Sequence, residues 1–539
     1  MKIAVANGIY LHKMNDTVGY LYTKNYATFT IQTAEGRILK EFSGAVAAGK
    51  ALCGDTVNGS TDGCTLISRT DHPQLVGILE LNTKVRHGFT DRGVPLYLFL
   101  PSNEAYPPML VASKETAREN CLAVAAFEHW DGDTTFPRGG LVRILGLCGD
   151  IDTEKLAVGF QHSPWSWSKK TTPEELIYPS REGRHVIDKP TINIDPKGCM
   201  DIDDTVSLWK EGNHWNLAIN IADVAAFVAL NPALNFAEKI GQTLYTNKGR
   251  AVRPMFPARF SEDAFSLLPG EERFCISLMA KWDGQKLHMA PYMPFKETVV
   301  RNWGSYTYES CFNTTEIDIS VLMKIVDSLG YDSADPHKWV ECLMVLYNTK
   351  MAEHLKIAGA GLLRTHDAPS KEKLIHIEAL GLPAKELAYP AAVYSTTDAQ
   401  GGHWGLEKGI YCHATSPIRR YADILNQHVL KTLMNSGVQT PTIYSNYALT
   451  LNRTDKSAKA YGRDLMFIEC VLGAPGIPVY GIVIEQKEKT SIYIETWKRI
   501  IRCYSKNEYK PGDQVIVGFY ANKLGRSWKK KMVYQIERV

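Results

Sequence analysis

The sequence lacks the features that mark several classes of protein. Its 11 cysteines occur singly, from Cys53 to Cys503, with no Cys-x-x-Cys pair, which argues against a zinc ribbon and against a small disulfide scaffold. No apolar run approaches the roughly 18 residues of a membrane span, and the first residues lack the apolar core of a signal peptide. We therefore expect an intracellular, cytoplasmic protein with reduced thiols and no membrane association.

A large charge surplus is also missing, because 61 Lys and Arg residues nearly balance 58 Asp and Glu residues. The exception is the segment 478–539, which holds 13 basic and 6 acidic residues. Aromatic residues lie among these charges, a combination typical of a groove that neutralises phosphates and stacks the bases of a single strand. They are Tyr493, Trp497, Tyr504, Tyr509 and Tyr520. The alternative is a solvated basic face.

The length of 539 residues predicts about three or four domains. Short alternating runs separated by Gly and Asp are typical of small β-barrels of the oligonucleotide-binding (OB) type. The predicted domains are a barrel at 1–70, a second barrel at 71–160, a connector at 161–190, an α+β domain at 191–475 and a barrel at 476–539. Longer apolar periods in the α+β domain predict helices at 321–329, 339–358 and 418–433. In the first barrel, aromatic side chains could either stack on bases or fill the interior, namely Tyr20, Tyr22, Tyr26 and Phe29.

The stretch from Thr191 to Val206 carries the strongest chemical signal. It contains four carboxylates within ten residues, Asp195, Asp201, Asp203 and Asp204. Like charges at this density repel one another unless a cation lies among them, and Mg²⁺ prefers oxygen ligands while keeping positions for water and phosphate. An acidic surface turn is the alternative, but Ile192 and Ile194 alternate like a strand that leads into the cluster. The stretch therefore predicts a phosphoryl-transfer site.

Two other motifs nearly match the same residues. An EF-hand loop needs an oxygen ligand at its fifth position and Gly at its sixth, where this chain has Thr205 and Val206, so that motif is excluded. The run from Asp201 to Thr205 also spells the Asp-x-Asp-x-Thr signature of phosphatases that form an aspartyl-phosphate. That signature should close a buried strand, whereas the preceding residues 197–200 are Lys-Gly-Cys-Met. We keep the phosphatase as a competing hypothesis.

A second stretch, His413 to Asp423, carries two adjacent arginines. Ser416 followed by Pro417 predicts a helix start, with Ser as the N-cap and Pro at the first helical position. Arg419 and Arg420 would then lie in the first turn, where the helix dipole favours an anion such as phosphate. The alternative is that Arg419 pairs with Asp423, four residues further on.

These two stretches together resemble the ribonuclease II and ribonuclease R (RNB) family, which includes the catalytic subunit of the eukaryotic exosome. The resemblance lies in the Asp-x5-Asp-x-Asp-Asp spacing and in the Thr-Ser-Pro-Ile-Arg-Arg-Tyr-Ala-Asp string. It extends in the family's order through Asn220–Val224, Arg253–Pro257, Ser266–Pro269, Leu363–Asp367 and Gly402–Leu406. The family layout is two cold-shock barrels, an α+β RNB catalytic domain and a C-terminal RNA-binding barrel, so the resemblance implies this multidomain fold.

The resemblance also implies an activity. It predicts a processive 3′→5′ exoribonuclease, a monomer that takes the 3′ end of single-stranded RNA and releases nucleoside 5′-monophosphates by two-metal-ion hydrolysis. The cofactor would be Mg²⁺, for which Mn²⁺ could substitute. By position, the implied metal ligands are Asp195, Asp201, Asp203 and Asp204; the implied catalytic residues are Asp203, Arg419 and Asp201; and the implied RNA-binding residues are Tyr245, Arg364, His366, Arg420 and Ser416.

The chain departs from the family pattern at three places. Asn220 stands where the family usually has His, Gln427-His428 where it usually has His-Arg, and Gly462 where some members have Glu. These departures bear on the RNA grip, and hence on processivity and product length. A second hypothesis is an RNA-binding protein on this scaffold that has lost catalysis, against which the four intact aspartates speak, and the aspartyl-phosphate phosphatase is a third.

Overall fold

The structure, a computed structural model, describes residues 17–115, 119–436, 444–474, 476–523 and 525–539. The chain divides into two units, Met1–Cys148 and Gly149–Val539. No disulfide joins any of the cysteines, all of which lie in the described ranges. Within those ranges, no helix combines the length and the apolar character that crossing a membrane requires.

The first unit consists of two five-stranded sheets. Its strands are β1 (Thr17–Thr23), β2 (Thr28–Gln32), β3 (Ile38–Ser43), β4 (Thr56–Ser60), β5 (Gly63–Ser68), β6 (Leu75–Leu79), β7 (Leu96–Pro101), β8 (Met109–Ala112), β9 (Cys121–His129) and β10 (Arg138–Leu147). The first sheet has the order β3-β2-β1-β4-β5, and the second is a closed barrel with the order β10-β8-β7-β6-β9. One hydrophobic cluster takes residues from both sheets.

The aromatic residues of the first sheet divide between its interior and its surface. Tyr26 and Phe29 are buried, and their rings meet edge to face with centroids 5.2 Å apart. Tyr20 is 46% exposed, and Tyr22 is half-buried. Two of the four aromatics therefore fill the interior, which was one of the two roles left open by the sequence.

The second unit contains a large central sheet with two small β-ribbons beside it. Before the C-terminal sheet, its strands are β11 (His185–Ile187), β12 (Thr191–Ile194), β13 (Asp204–Glu211), β14 (His214–Ala222), β15 (Leu244–Tyr245), β16 (Ala251–Arg253), β17 (Glu272–Trp282), β18 (Leu287–His288), β19 (Phe295–Arg301), β20 (Gly304–Tyr306), β21 (Leu362–Thr365) and β22 (Val393–Thr396). The central sheet has the order β11-β19-β17-β14-β13-β12-β20, and β18 also pairs with β17. The ribbons are β15-β16 and β21-β22.

Both faces of the central sheet are buried. Along β14, Leu217, Ile219 and Ile221 belong to one hydrophobic core, whereas Ala218 and Ala222 belong to another. This division follows from the two-residue period of a strand, which sends alternate side chains to opposite faces. The sheet therefore holds the strand ends near residues 195 and 204 in a rigid frame.

The helices of the second unit are, in chain order, α1 (Ile151–His162), α2 (Val224–Leu230), α3 (Ala237–Ile240), α4 (Ile319–Ser328), α5 (Pro336–Ala358), α6 (Lys371–Ala379), α7 (Ala384–Leu387), α8 (Tyr421–Ser436), α9 (Tyr444–Ile468) and α10 (Trp528–Lys531). Residues of α2, α3, α4, α5, α8 and α9 belong to the two cores of the central sheet. The helices predicted at 321–329 and 339–358 coincide with α4 and α5 to within a few residues. Asp318 and Asp335 cap them by accepting hydrogen bonds from the first turn.

A five-stranded sheet ends the chain. Its strands are β23 (Val479–Gln486), β24 (Thr490–Ile494), β25 (Arg499–Cys503), β26 (Gln514–Ala521) and β27 (Met532–Arg538). Their order, β25-β24-β23-β26-β27, repeats the path of the first sheet of the chain. The chain therefore has OB-type sheets at both ends and an α+β region between them, as the sequence predicted. The predicted boundaries at residues 70, 160, 190 and 475 stay predictions.

The aromatic residues predicted for a basic groove in this sheet are split in the same way. Tyr493 and Tyr509 are buried, and Trp497 packs against Phe519 with ring centroids 4.8 Å apart. Tyr504 is 67% exposed and Tyr520 is 55% exposed. Only these last two of the predicted set present most of their side chain to solvent.

Candidate active site

The acidic stretch is a loop between two paired strands of the central sheet. Strand β12 ends one residue before Asp195, and β13 begins at Asp204. The Asp195 N–H donates to the carbonyl of Tyr306 at 3.0 Å, and Gly198 takes the left-handed conformation that the turn requires (φ 83°). The Asp-x-Asp-x-Thr run from Asp201 to Thr205 therefore leads into the start of a strand, whereas the phosphatase signature should close one.

Asp203 binds a residue that lies 216 positions further along the chain. The Arg419 Nε donates to Asp203 Oδ2 at 3.1 Å, and the Ile418 N–H donates to Asp203 Oδ1 at 2.9 Å. The same guanidinium donates through Nη2 to Ser416 Oγ at 3.1 Å. Asp203 is 3% exposed, whereas the Arg419 side chain is 48% exposed. The acidic loop and the arginine stretch thus meet in one place, and half of the arginine stays accessible.

The backbone around Arg419 is a turn rather than the first turn of a helix. Helix α8 begins at Tyr421, so the predicted start at Pro417 is wrong. The Tyr421 N–H donates to the carbonyl of Gly241 at 2.9 Å, and the Thr243 N–H donates to the carbonyl of Arg419 at 3.0 Å. These bonds to a neighbouring segment replace the first helical turn and hold Arg419 beside the acidic loop.

The two arginines have different partners. Arg420 forms two parallel hydrogen bonds with Asp423, Nη2 to Oδ1 at 2.8 Å and Nε to Oδ2 at 3.0 Å. The alternative that Arg419 pairs with Asp423 is therefore wrong. Arg420 lies just before the start of α8 and three residues before Asp423, whose carboxylate it binds. Arg419 pairs with Asp203 instead.

Tyr245 also contacts the acidic loop. Its hydroxyl donates to Asp201 Oδ2. The tyrosine lies in the short ribbon formed by β15 and β16. Burial raises the pKa of Tyr245, and the charge of Asp201 raises it further, so the side chain stays a neutral donor. The ring, which is half-buried, is thus fixed beside the carboxylates.

The electrostatics of the site favour an added cation. Burial raises the pKa of Asp203 to about 7, although Arg419 acts in the opposite direction. Burial also raises the pKa of Asp195, and that of Asp204 is raised by burial and by the like charges of Asp195 and Asp203. Burial acts to lower the pKa of Arg419, but the negative charges of Asp203, Asp201 and Asp204 outweigh it and the pKa is raised. The carboxylates thus outnumber the arginine that they surround.

The donor set fits a hard divalent cation in its chemistry. In the part of the chain that the structure describes, no three His, Cys, Asp or Glu side chains already form a set of ligands around one point. Mg²⁺ does not require such a cage, because it usually takes one or two carboxylates and completes its shell with water and substrate phosphates. A partly open group of one buried and three half-buried carboxylates meets that requirement.

A second charged group lies beside the first. Arg364 pairs with Asp455 at 3.0 Å, and its guanidinium carbon lies 4.5 Å from the ring centroid of Tyr394. The charges of Arg420 and Arg364 both act to lower the pKa of Tyr394, against a larger effect of burial. The Arg364 side chain is only 6% exposed. Arg419 binds Asp203 in the acidic group, and its neighbour Arg420 lies near Tyr394 in the second group. The two groups are therefore adjacent.

The remaining predicted RNA-binding residues occupy different surroundings. Ser416 belongs to the acidic group, because its Oγ accepts from Arg419 while its N–H donates to Asp423 Oδ1 at 2.7 Å. His366 has both ring nitrogens engaged, Nε2 with the carbonyl of Pro390 at 3.0 Å and Nδ1 with the Gly405 N–H at 3.2 Å. Its ring packs edge to face against His403, with centroids 4.9 Å apart.

The sequence predictions missed two side chains that hold the acidic loop. Asn193 donates to Asp195 Oδ2 at 2.9 Å, and Asn302 donates to Asn193 Oδ1 at 2.8 Å. Asn193 could have been found, because a spacing of two residues in a strand puts it on the same face as Asp195. Asn302 follows β19, more than 100 residues away in sequence, and no local signal marks it.

Two of the three departures from the family pattern lie in the interior. Asn220 on β14 donates to Thr205 Oγ1 at 3.1 Å and to Ser207 Oγ at 2.8 Å. Gln427 on α8 donates to the carbonyl of Ala222 at 2.8 Å. Gly462 on α9 faces open space, since a Cβ built there would have no neighbour within 4 Å. A Glu at the third position would therefore project into that space, and this chain has none there.

Known proteins share this architecture. The RNB domain model matches residues 184–316 and 311–436, and the model of the Dis3-like cold-shock domain 2 (CSD2) matches residues 96–163. Ribonuclease R of Mycoplasma genitalium, solved in complex with ribose-methylated single-stranded RNA, has a TM-score of 0.68 at 16% identity and covers 96% of this chain and 100% of its own. Yeast Ssd1, described as a pseudonuclease, has a TM-score of 0.59 at 15% identity, covering 93% of this chain and 81% of its own.

The chain therefore has the multidomain fold of ribonuclease R, with a cold-shock domain and an RNB domain. The resemblance to the ribonuclease II and ribonuclease R family is confirmed. A probable exosome complex exonuclease RRP44 of Caenorhabditis elegans is 24% identical over 499 residues, which is 72% of this chain and 51% of that protein. Ribonuclease R of Buchnera aphidicola is 27% identical over 392 residues, 55% of this chain and 53% of its own length. The chain thus spans about half the length of these curated relatives.

Proposed function

We propose that the chain is a 3′→5′ exoribonuclease that processively hydrolyses single-stranded RNA to nucleoside 5′-monophosphates. The observation that carries the proposal is the contact between Asp203 and Arg419, because it joins the two predicted halves of the site. An arginine beside a carboxylate cluster supplies what phosphoryl transfer needs, a cation for the phosphate next to ligands for metal ions.

The proposed cofactor is Mg²⁺, with two ions per site and Mn²⁺ as a substitute. Asp195, Asp201, Asp203 and Asp204 would hold the ions, because all four carboxylates face the same charged group. When bound, two such ions stabilise both the attacking and the leaving oxygen of an in-line displacement.

The side chains of the protein orient the substrate around these ligands. The exposed half of Arg419 binds the scissile phosphate, while its Nε stays on Asp203. Tyr245 stacks on a base near the 3′ end, because its hydroxyl fixes the ring next to Asp201. Arg420 and Arg364 are both paired with carboxylates, so they act on RNA mainly through the positive field and through the geometry of Arg419.

The proposed partner is the 3′ end of a single strand of RNA. Bases must be unstacked before a ring such as Tyr245 can stack on them, and contacts to the 2′-hydroxyl would exclude DNA. Ribonuclease R of M. genitalium, which shares this fold, has been solved with single-stranded RNA. We further propose that the protein acts as a monomer inside the cell, in the cytoplasm.

One assay tests the proposal. The purified protein is incubated with Mg²⁺ or with EDTA and with RNA labelled either at its 5′ end, which shows the direction of shortening, or throughout its length, which shows released mononucleotides. DNA and circular RNA of the same sequence, both labelled throughout, are tested beside it. We expect linear RNA to shorten from its 3′ end with release of mononucleotides only when Mg²⁺ is present, and no loss of circular RNA or DNA. Cleavage of the circle would indicate an endonuclease and would contradict the proposal.

The second candidate is an RNA-binding protein without catalysis. It is favoured by the structural similarity to yeast Ssd1, described as a pseudonuclease, and by the open space at Gly462. All four aspartates are present, which favours the enzyme. Tight RNA binding with no shortening at any Mg²⁺ or Mn²⁺ concentration would support the second candidate. Hydrolysis of small phosphomonoesters without action on RNA would instead support the phosphatase.

A further inference from the structure

A pair of buried asparagines fixes the orientation of one carboxylate of the acidic loop. Asn193 lies on β12, and its Nδ2 donates to Asp195 Oδ2 at 2.9 Å and to Ser305 Oγ at 3.0 Å. Asn193 is 1% exposed and Asn302 is 2% exposed. A buried amide is held in one position only when all of its donors and acceptors find partners. Asn302 supplies the partner of the Asn193 oxygen, so both asparagines are needed to fix the orientation.

The backbone determines which way each amide faces. Asn302 Oδ1 accepts from the Gly304 N–H at 3.1 Å, which can only donate. Asn302 Nδ2 donates to the carbonyl of Leu267 at 2.8 Å, which can only accept. These two bonds place the Asn302 amide without ambiguity, although an amide could otherwise be turned over by 180°.

The orientation passes from Asn302 to the carboxylate. The second hydrogen of Asn302 Nδ2 donates to Asn193 Oδ1 at 2.8 Å. Asn193 must then present its Nδ2, and therefore two N–H groups, towards Asp195 and Ser305. Each of the two amides uses both of its hydrogens and its oxygen, and the chain of bonds ends on Asp195.

We propose that Asn193 and Asn302 are positioning residues that preorganise Asp195 for a divalent cation. The inference rests on the proposed function, because it assigns a role to residues that act on a proposed metal ligand. A carboxylate whose rotation is already fixed loses less side-chain freedom when it binds an ion. Hydrogen-bond partners of metal ligands typically contribute about 10- to 100-fold to metal affinity.

The test measures metal binding without turnover. Electron paramagnetic resonance titrations give the affinity for Mn²⁺ of the full chain and of the variants Asn193→Ala, Asn302→Ala and the double variant, all without RNA. We expect each single variant to bind Mn²⁺ about 10- to 100-fold more weakly. We expect the double variant to match Asn193→Ala, because Asn302 acts only through Asn193. RNA affinity in EDTA should stay unchanged in all three.

Asn231→Ala is the matched control. Asn231 is also buried and also makes three hydrogen bonds, with the Ile177 N–H, the Ile177 carbonyl and the Phe227 carbonyl. We expect this variant to lose stability and to keep its Mn²⁺ affinity. Equal losses of Mn²⁺ affinity in Asn231→Ala and Asn193→Ala would show a general effect of stability and would overturn the inference.

The failure of the inference can be told apart from the failure of the proposed function. If the wild-type chain binds no Mn²⁺, the proposed function is wrong and the inference falls with it. If the wild-type chain binds Mn²⁺ and Asn193→Ala binds it equally well, the inference alone is overturned. Should Asn193→Ala fail to fold, unchanged Mn²⁺ affinity in Asn302→Ala overturns it instead, and a loss supports it.

Discussion

At the scale of single residues, one guanidinium has two tasks. Arg419 neutralises a buried aspartate, and its exposed half remains available to a phosphate. Loss of Arg419 leaves the charge of Asp203, which is 3% exposed, without its counterpart. Substitutions of Arg419 or Asp203 can change stability as well as activity, so the free energy of unfolding of each variant should be measured together with its activity.

The first prediction concerns Asp203→Asn. The amide keeps the shape of the side chain but removes the charge of a proposed metal ligand, so we expect RNA hydrolysis in Mg²⁺ to fall by several orders of magnitude. RNA affinity measured in EDTA should survive. Single-turnover cleavage and fluorescence anisotropy on the same RNA give the two values. Asp188→Asn, an exposed aspartate of the same unit, is the control. An Asp203→Asn variant that retains its activity would refute the assignment of roles.

The second prediction separates the two roles of Tyr245. Tyr245→Phe removes only the hydrogen bond to Asp201, whereas Tyr245→Ala also removes the ring. We expect Ala to weaken RNA binding by roughly 1–3 kcal/mol, the value of a base-stacking contact, and to change the length of the final product. Phe should keep RNA affinity and product length. Product ladders on denaturing gels measure the length of the final product. Identical ladders for the wild type, Tyr245→Phe and Tyr245→Ala would count against a stacking role.

Single residues also mark what sequence can predict. The four aspartates and Arg419 were identified from spacing and from family resemblance, and the structure brings them together. The partner of each arginine was not predictable, because it depends on where α8 begins, and that in turn depends on backbone bonds to residues 241–243. The Asn193–Asn302 pair depends on strands far apart in sequence. The burial of Tyr26 and the exposure of Tyr520 depend on how each sheet packs and not on a local pattern.

At the scale of elements, an ion network joins β14, α2, α8 and the segment before β11. Asp223 caps α2 by accepting from the Ala226 N–H at 3.1 Å. It also pairs with Lys431 at 2.6 Å and with Arg184 at 2.8 Å. Burial acts to raise the pKa of Asp223, but Lys431 and Arg184 outweigh it and hold the pKa below its usual range. The network thus ties α8, which follows the Arg419 turn, to the central sheet.

The third prediction uses this lowered pKa. Because the pKa is lower in the folded chain than in the unfolded one, the ionised carboxylate stabilises the fold above about pH 4, and this contribution is lost as the pH falls. Asp223→Asn should therefore lower the free energy of unfolding by about 3–5 kcal/mol at pH 7. The difference from wild type should shrink below about pH 4. Urea titrations of the second unit's transition at several pH values measure it, with Asp188→Asn as the exposed control. A difference that is independent of pH would contradict the prediction.

Elements were predicted better than their ends. The helices α4 and α5 follow from apolar periodicity, and a helix at 418–433 with the arginines in its first turn was also predicted. The predicted start was wrong. Ser416 and Pro417 match an N-cap signal, but the backbone just after them is hydrogen-bonded to the segment 241–243. Local propensity is a weak guide wherever a distant segment competes for the same hydrogen bonds.

At the scale of the whole molecule, positive charge is concentrated in the last sheet. Arg499 and Arg502 lie on β25 and are exposed. Exposed arginines can bind phosphates without reading the base sequence, and such contacts make RNA binding depend on salt. The sheet order shared by the two ends of the chain agrees with the barrel rhythm found in the sequence, whereas the outward-facing side chains could be assigned only from the structure.

The fourth prediction follows from this distribution. Replacing Arg499 and Arg502 together by Glu should weaken binding of single-stranded RNA to a similar degree for all sequences and flatten the dependence of log Kd on log salt. The control replaces Lys210 and Lys281, two exposed lysines of the central sheet, by Glu. Anisotropy titrations at several salt concentrations measure both slopes. Equal losses in the two double variants would mean that only net charge matters and that the last sheet has no special role.

The separation of 216 residues between Asp203 and Arg419 has a consequence for biosynthesis. While the ribosome is still adding the residues between them, the nascent chain carries the aspartates without the counter-charge that pairs with Asp203. A chain that ends before Arg419 therefore holds the proposed metal ligands without the guanidinium that we propose binds the scissile phosphate.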